Sequence, residues 1–301
     1  MTEKDPQIQA AQLEQEAESK MKGVFKNFTK AGEKFAKAGD ILSRAKEHEQ
    51  ASGDYEKAAN AFKSEKKPEW FTVRKYLWLA AGEIRDIDFD KALELYQVIK
   101  GIDQTQLPDN SHLLKTETEI GLLLAEAKQF DEALTYLESA ESRLAVEADL
   151  EMKRSEVLKR LAMIYSTEKG DFATAAEKYK EIANIYLKEK VTKAAASAFI
   201  YCYGLCLVAA EIPNPGENRT PNWDKFDTTF REAPFSEPLY RALLECKFLE
   251  DVLEAARNED LGKMKQALGL AASQLKFDQM QLDALSKIRK FIEGAEGRAI
   301  L

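Results

Sequence analysis

The chain has 301 residues, of which 45% are hydrophobic and 32% charged, with only 14 glycines and 8 prolines. This composition favours helix over a β-sandwich, a barrel or a disordered polymer, so we expect an all-α protein. Acidic residues outnumber basic ones by 52 to 44, and the formal net charge of −8 argues against a uniformly basic surface that wraps duplex nucleic acid.

The start of the chain and its cysteines bear on the cellular compartment. Residues 1–5 begin no apolar leader, and the three cysteines, Cys202, Cys206 and Cys246, do not suggest a disulfide framework. The longest uncharged run, 194–210, has 17 residues, whereas a membrane-spanning helix needs about 20 apolar residues. We therefore expect a cytoplasmic protein in which 194–210 is a buried helix.

Residues 20–37 are locally basic, with six lysines against the single Glu33. An apolar stripe at helical spacing runs between the lysines: Met21, Val24, Phe25 and Phe28, flanked by Lys22 and Lys26. Aromatic insertion beside lysines, each contributing about 1 kcal/mol near an anionic surface, predicts weak and reversible membrane attachment. The alternative is that Phe25 and Phe28 pack on the first helical hairpin.

A short pattern recurs four times: an aromatic residue, Ala three positions later, and Tyr, Phe or Leu four positions beyond. The copies are Tyr55/Ala58/Phe62, Phe89/Ala92/Tyr96, Phe130/Ala133/Leu137 and Phe172/Ala175/Tyr179. Spacings of three and four place the three side chains on one helix face, and the small Ala lets a neighbouring helix approach closely. The pattern predicts four helices that each receive a partner on the same face.

Three of the four copies follow a large residue and a small one, with the small residue 12 or 13 positions before the Ala. These pairs are Leu79-Ala80, Ile120-Gly121 and Leu161-Ala162; Ala58 has no clear equivalent. The combination is typical of tetratricopeptide helix hairpins, here with periods of 34, 41 and 42 residues. Because one hairpin cannot bury its apolar face alone, we expect an all-α, tetratricopeptide-like solenoid, a twisted stack. The alternative is an ordinary helical bundle with coincidental alanines.

Five of the eight prolines lie within 213–238, which predicts a long irregular connection. We expect an N-terminal hairpin array at 1–212, which includes the membrane-touching stretch, and a C-terminal helical bundle at 239–301.

Catalytic chemistry is not indicated by the sequence. His48 and His112 lie near no second ligand type at metal spacing, and Cys202 and Cys206 lack an accompanying histidine, so no metal site is expected. The chain has neither GxxxxGK[ST] nor GxGxxG. We therefore expect a protein without enzymatic activity, cofactor or small-molecule substrate.

Two segments near the ends of the chain resemble a known family. Residues 55–63, Tyr-Glu-Lys-Ala-Ala-Asn-Ala-Phe-Lys, resemble the Tyr-x-x-Ala-Ala-x-x-Phe-Lys helix of the soluble NSF attachment proteins (SNAPs). Residues 245–249, 253–255 and 285–290 are similar in order and spacing to the C-terminal bundle of alpha-type members. The resemblance implies an adaptor that links SNARE bundles to the NSF ATPase in vesicle fusion and intracellular transport, and that is peripheral on cytosolic membrane faces.

The resemblance also implies three sets of contact residues. The basic stretch near residue 25 lies where the family keeps its lipid-touching loop. The SNARE-facing set is Lys115, Lys153, Arg154, Lys159, Arg160, Lys188, Lys190 and Lys193. The NSF-facing set is Glu254, Glu259, Asp260, Ile300 and Leu301, with Arg257 and Asn258 standing where the family has acids.

The main alternative is a generic tetratricopeptide scaffold, for instance a chaperone cofactor that reads a peptide carboxylate. Such a groove needs Lys, Asn and Arg on successive first helices. Three residues before each large-small pair, the chain has Tyr76, Glu117 and Leu158, none of which could hold a carboxylate through a charged pair. A helical enzyme, the third possibility, would need a polar cluster that the sequence does not offer.

Overall fold

The computed structural model describes residues 5–22, 26–107, 110–146, 150–188, 191–214 and 243–299, with 217, 219–223, 226 and 228; the side chains of residues 110 and 295–299 are not described. Within these residues all regular secondary structure is helical, so the all-α prediction is confirmed. The helices are α1 (Pro6–Met21), α2 (Phe28–Arg44), α3 (His48–Lys63), α4 (Trp70–Ile84), α5 (Phe89–Thr105), α6 (Asn110–Glu126), α7 (Phe130–Leu144), α8 (Glu151–Met163), α9 (Phe172–Lys188), α10 (Lys193–Glu211), α11 (Leu244–Arg257), α12 (Leu261–Ala272) and α13 (Gln279–Ala299).

The chain divides into two compact units, Met1–Ala140 and Glu141–Leu301. The second unit therefore contains the last part of the predicted array together with the C-terminal helices. Much of the proline-rich segment 213–238 lies outside the described residues. The predicted limits at 212 and 239 stay a prediction.

Helices in the first unit pack in sequence order, α1 on α2, α2 on α3, and onward to α6. The repeat alanines Ala58, Ala92 and Ala133 have no exposed surface. In the first hairpin, where the sequence shows no small partner for Ala58, Gly39 of α2 lies against Tyr55 of α3, and a Cβ there would lie 2.9 Å from the Tyr55 ring. The close helix approach that the repeat predicts is therefore present in the first hairpin as well.

The second unit is built around α10. This helix is long and apolar enough to cross a membrane, and it packs against α9, α11 and α13, with much of its surface buried. Cys202 and Cys206 lie in the resulting core, and burial raises the pKa of the Cys202 thiol to about 12. These cysteines act as small apolar side chains in the described structure.

A five-residue π-helix, Ile164–Glu168, ends α8. Gly170 follows in the left-handed region, with φ of +64°, and the Asp171 side chain accepts a hydrogen bond from the Thr174 backbone N–H at 3.0 Å. The turn thereby leads into α9 and the fourth copy of the repeat.

Candidate interaction surfaces

The N-terminal basic stretch is anchored where α1 meets α2. The Asn27 backbone N–H donates to the Lys20 carbonyl at 2.9 Å, and the Asn27 side chain caps α2 by accepting from the Lys30 N–H at 2.9 Å. In the turn between α3 and α4, Glu65 accepts from both the backbone N–H and the hydroxyl of Thr29, each at 2.7 Å. The start of α2 is thus fixed from two sides.

The predicted lipid-touching residues are divided between surface and core. Met21 is half-buried against the cluster formed by Ala17, Ala31 and Phe35, so it belongs in part to the packing of the first hairpin. Lys22 is highly exposed and pairs with Glu18 at 3.3 Å. Lys26 is exposed, with its Nζ 6.0 Å from the centroid of the half-buried Phe28 ring, whereas Val24 and Phe25 lie outside the described residues.

Lys115, on α6, is exposed and lies over an aromatic ring of another helix. Its Nζ is 4.5 Å from the centroid of the Trp78 ring on α4, and the Arg74 guanidinium is 4.9 Å from the same ring. A cation held against a ring loses less rotamer freedom when it meets a partner. The Trp78 ring therefore restricts the conformations open to the Lys115 side chain.

A buried polar network fixes α6 beside α4. Arg74 Nε donates to Asp103 Oδ1 at 2.6 Å, and Arg74 Nη2 donates to the Thr116 hydroxyl at 3.1 Å and to the His112 carbonyl at 3.2 Å. The Thr116 hydroxyl donates to Asp103 Oδ2 at 2.6 Å. Both side chains of the ion pair are almost fully buried, so the network holds the first turns of α6, which present Lys115, against α4 and α5.

Lys159, on α8, repeats the arrangement seen at Lys115. Its Nζ donates to the Tyr186 hydroxyl at 3.1 Å, and it lies 4.9 Å from the centroid of the Phe199 ring. Arg160 is half-buried and Lys153 is exposed on the same helix. Lys193 is half-buried at the first position of α10, and Lys190 lies outside the described residues.

Two predicted SNARE-facing cations form ion pairs within the second unit. Arg154 donates through Nε and Nη2 to Glu141 at 2.8 and 2.6 Å, and it also pairs with Glu181. Lys188 pairs with Glu151. Arg154 is half-buried between three helices, so we interpret it as a structural bridge, because a partner would have to displace two carboxylates from it.

The predicted NSF-facing acids lie at the end of α11 and in the turn to α12. Glu254 is exposed and pairs with Lys263. Glu259 has a positive φ of 52°, and Asp260 caps α12 by accepting from the Lys263 backbone N–H at 2.9 Å. Six acids and two basic residues occupy 245–260, and four of those acids are exposed. Ile300 and Leu301 lie outside the described residues.

The three positions considered for a carboxylate-binding groove hold side chains that pack within their own units. Tyr76 stacks on Phe62 with ring centroids 5.5 Å apart, and Glu117 and Leu158 are buried. Glu117 Oε1 lies 3.8 Å from Lys100 Nζ.

The aromatic rings beneath Lys115 and Lys159 are contact residues that the sequence reasoning did not find. Trp78 is 37 positions from Lys115, and Phe199 is 40 positions from Lys159. Because these pairs form between helices, no local spacing could have indicated them.

Comparison with known proteins gives one family match that covers most of the chain. The family model described as soluble NSF attachment protein, SNAP, matches residues 8–293. Among solved structures, the crystal structure of BtubC (BKLC) from P. vanneervenii is similar in fold, with a TM-score of 0.51, 12% sequence identity, and coverage of 92% of this chain and 96% of that one. A comparison with curated proteins gave no match.

Proposed function

The chain belongs to the soluble NSF attachment protein family, and we propose that it is an adaptor that binds assembled SNARE complexes and recruits and stimulates an NSF-type AAA+ ATPase. The family match over residues 8–293 is the observation that carries this proposal. As an adaptor, the chain performs no catalysis and needs no cofactor. It works in the cytoplasm, peripherally on membranes, and couples ATPase motion to SNARE disassembly during vesicle transport.

The SNARE-facing surface uses cations that the fold holds in place. Lys115 and Lys159 rest on aromatic rings, and Lys153, Arg160 and Lys193 are the other cations assigned to this surface from the described residues. An acidic helical bundle is steered to such residues and is held by many weak, salt-sensitive contacts. Lys190 and the exposed Lys188 keep their predicted role, whereas we interpret Arg154, which pairs with Glu141 and Glu181, as a bridge between helices.

The NSF-facing surface is acidic. The exposed carboxylates of α11 and of its turn to α12 suit a basic partner, and Glu259 and Asp260 lie in the turn between these helices. Ile300 and Leu301 are assigned the stimulation of the ATPase through the family resemblance alone. Several adaptor copies on one SNARE bundle would raise the effective concentration of each weak contact.

Membrane attachment is assigned to the basic stretch at the α1–α2 junction. Lys22 and Lys26 are exposed there, Phe28 is half-buried, and Val24 and Phe25 remain predicted lipid contacts. The generic tetratricopeptide scaffold is kept as the alternative, but its carboxylate-reading form is disfavoured, because Glu117 and Leu158 are buried.

Binding of a purified, soluble SNARE bundle tests the proposal. We expect the full-length chain to bind, with an affinity that falls as salt is raised. Lys159→Glu with Arg160→Glu should weaken binding about tenfold at low salt, since two favourable charge contacts become repulsive.

The matched control for this double variant is Lys46→Glu with Lys128→Glu, which reverses two exposed lysines in helix–helix turns. The control should bind as the unmodified chain does, and melting temperatures should show that both variants fold. Unchanged binding by the Lys159/Arg160 variant at low salt would remove these residues from the interface, and failure of the unmodified chain to bind would refute the adaptor function.

A further inference from the structure

The α1–α2 junction and the α3–α4 turn lie at the same edge of the first unit. The hydrogen bonds from Thr29 to Glu65 join the start of α2 to the α3–α4 turn at this edge. The opposite ends of the same helices meet at Glu83, which accepts from the Ser43 hydroxyl and bonds with the His48 ring, each at 2.6 Å. The two edges are therefore separated by the length of the helices, about 20 Å for α4.

The α3–α4 turn has a basic and aromatic composition. Lys66 and Lys67 are exposed, Trp70 is half-buried, and Phe71 is 53% exposed. Phe71 meets the half-buried His112 ring edge-on, with centroids 5.4 Å apart, and about half of the Phe71 surface remains exposed.

The electrostatic character of this edge is positive. Residues 18–30 and 63–69 contain seven lysines and three carboxylates. Each of the three carboxylates has a partner within the fold: Glu18 pairs with Lys22, Glu65 accepts from Thr29, and Glu69 accepts from the Thr72 hydroxyl at 2.8 Å. The lysines of the two segments outnumber the carboxylates by four, so the balance of charge is positive.

We propose that the α3–α4 turn is a second membrane-contacting segment, in which Lys66 and Lys67 meet anionic headgroups and Trp70 and Phe71 enter the interfacial layer. This inference rests on the membrane attachment proposed above for the α1–α2 junction. Trp and Phe flanked by lysines have the composition of an interfacial anchor. The charge of the edge complements an anionic bilayer and opposes binding to a basic partner.

The position of the turn makes it suited to act together with the first segment. Because the Thr29–Glu65 hydrogen bonds join the two segments at one edge, a bilayer that reaches Lys22 and Lys26 also lies near Lys66 and Lys67. Two linked weak contacts bind much more strongly than either does alone. A single stretch of lysines and aromatics gives only weak attachment, and the second segment strengthens it without a spanning helix.

Flotation of the full-length chain with lipid vesicles tests the inference. We expect binding to phosphatidylcholine vesicles that contain phosphatidylserine, and Lys66→Glu with Lys67→Glu should reduce that binding about tenfold or more. Phe71→Ser should reduce it severalfold. The matched controls are Ile87→Ser, which changes an apolar residue of 56% exposure beyond the opposite end of α4, and Arg44→Glu with Lys46→Glu at the opposite edge; both should bind as the unmodified chain does.

Tryptophan emission gives a readout that does not depend on altering the turn. The chain has three tryptophans, and Trp78→Phe with Trp223→Phe leaves Trp70 as the sole tryptophan, which is excited selectively over the tyrosines. We expect its emission to move to shorter wavelength on phosphatidylserine vesicles, because the indole leaves water.

The outcomes separate this inference from the proposed function. Normal vesicle binding by the Lys66/Lys67 and Phe71 variants, or an unshifted Trp70 emission from the vesicle-bound chain, would overturn the inference and leave attachment to the α1–α2 junction. If these variants instead lose binding to a soluble SNARE bundle in lipid-free buffer but still bind vesicles, the α3–α4 turn contacts protein. That result would also overturn the inference. If the unmodified chain binds no vesicles, membrane attachment fails and the inference fails with it.

Discussion

Removal of one partner of the Arg74–Asp103 pair should destabilise the fold far more than replacement of both partners. Asp103 is 2% exposed, and Arg74 is the cation that faces it, with the Nε–Oδ1 distance at 2.6 Å. Arg74→Met would leave the buried carboxylate with the Thr116 hydroxyl but without a cation. Removal of one partner from a buried ion pair costs about 3–5 kcal/mol of the free energy of unfolding.

Replacement of both partners should cost much less. In Arg74→Met with Asp103→Leu no buried charge is left without a partner, and such apolar replacements are often close to neutral. We therefore expect the double variant to recover at least about 2 kcal/mol relative to Arg74→Met. Arg74→Lys should be an incomplete substitute, because an ammonium cannot reproduce the fork that reaches Asp103, Thr116 and the His112 carbonyl.

Urea unfolding provides the measurement. In a Trp223→Phe background the two remaining tryptophans, Trp70 and Trp78, both lie in the first unit and report its transition. A loss of less than about 1 kcal/mol for Arg74→Met, or a double variant no more stable than the single one, would refute this reasoning.

Two further predictions concern stability. Burial raises the pKa of Asp54 from 3.8 to about 6, although Lys57 Nζ lies 2.9 Å from Asp54 Oδ1. The folded chain therefore holds this proton more tightly than the unfolded chain does, and its stability falls as pH rises from about 4 to about 6. Asp54→Asn should flatten that dependence and, at neutral pH, raise the free energy of unfolding by on the order of 1 kcal/mol, seen as a higher melting temperature. An unchanged pH dependence of stability would contradict the raised pKa of Asp54. Gly121→Ala should lower the free energy of unfolding by about 1–3 kcal/mol, and with it the melting temperature, because the new Cβ would lie 2.7 Å from Leu137 Cγ. Gly82→Ala, where a Cβ meets nothing within 4 Å, should raise the melting temperature slightly, and equal effects at both glycines would argue against the packing explanation.

The hairpins could be predicted because their signal is local. Spacings of three and four place Tyr55, Ala58 and Phe62 on one face, and all three are buried. The sequence pattern does not indicate the small residues that pack in the first hairpin. Gly39 and Gly32 accept Tyr55 and Phe62, yet they lie outside the large-small pattern that the later hairpins follow.

The contact surfaces could be predicted only in outline, because the partners of charged residues come from distant parts of the chain. Nothing near Arg154 in the sequence indicates that it forms ion pairs with Glu141 and Glu181. Lys188 likewise pairs with Glu151, which is 37 positions away in the sequence. Helical spacing assigns a lysine to a face, but it cannot tell whether a neighbouring helix supplies a carboxylate or an aromatic ring.

ATP-driven disassembly of a purified SNARE bundle by NSF tests whether this chain couples the ATPase to SNARE complexes. The reaction is run with the full-length chain and with a variant that lacks Ile300 and Leu301. We expect disassembly with the full-length chain and little or none with the shortened one, while both still bind the bundle. Failure of the full-length chain to support disassembly, or equal activity of the two chains, would contradict the assigned coupling to NSF.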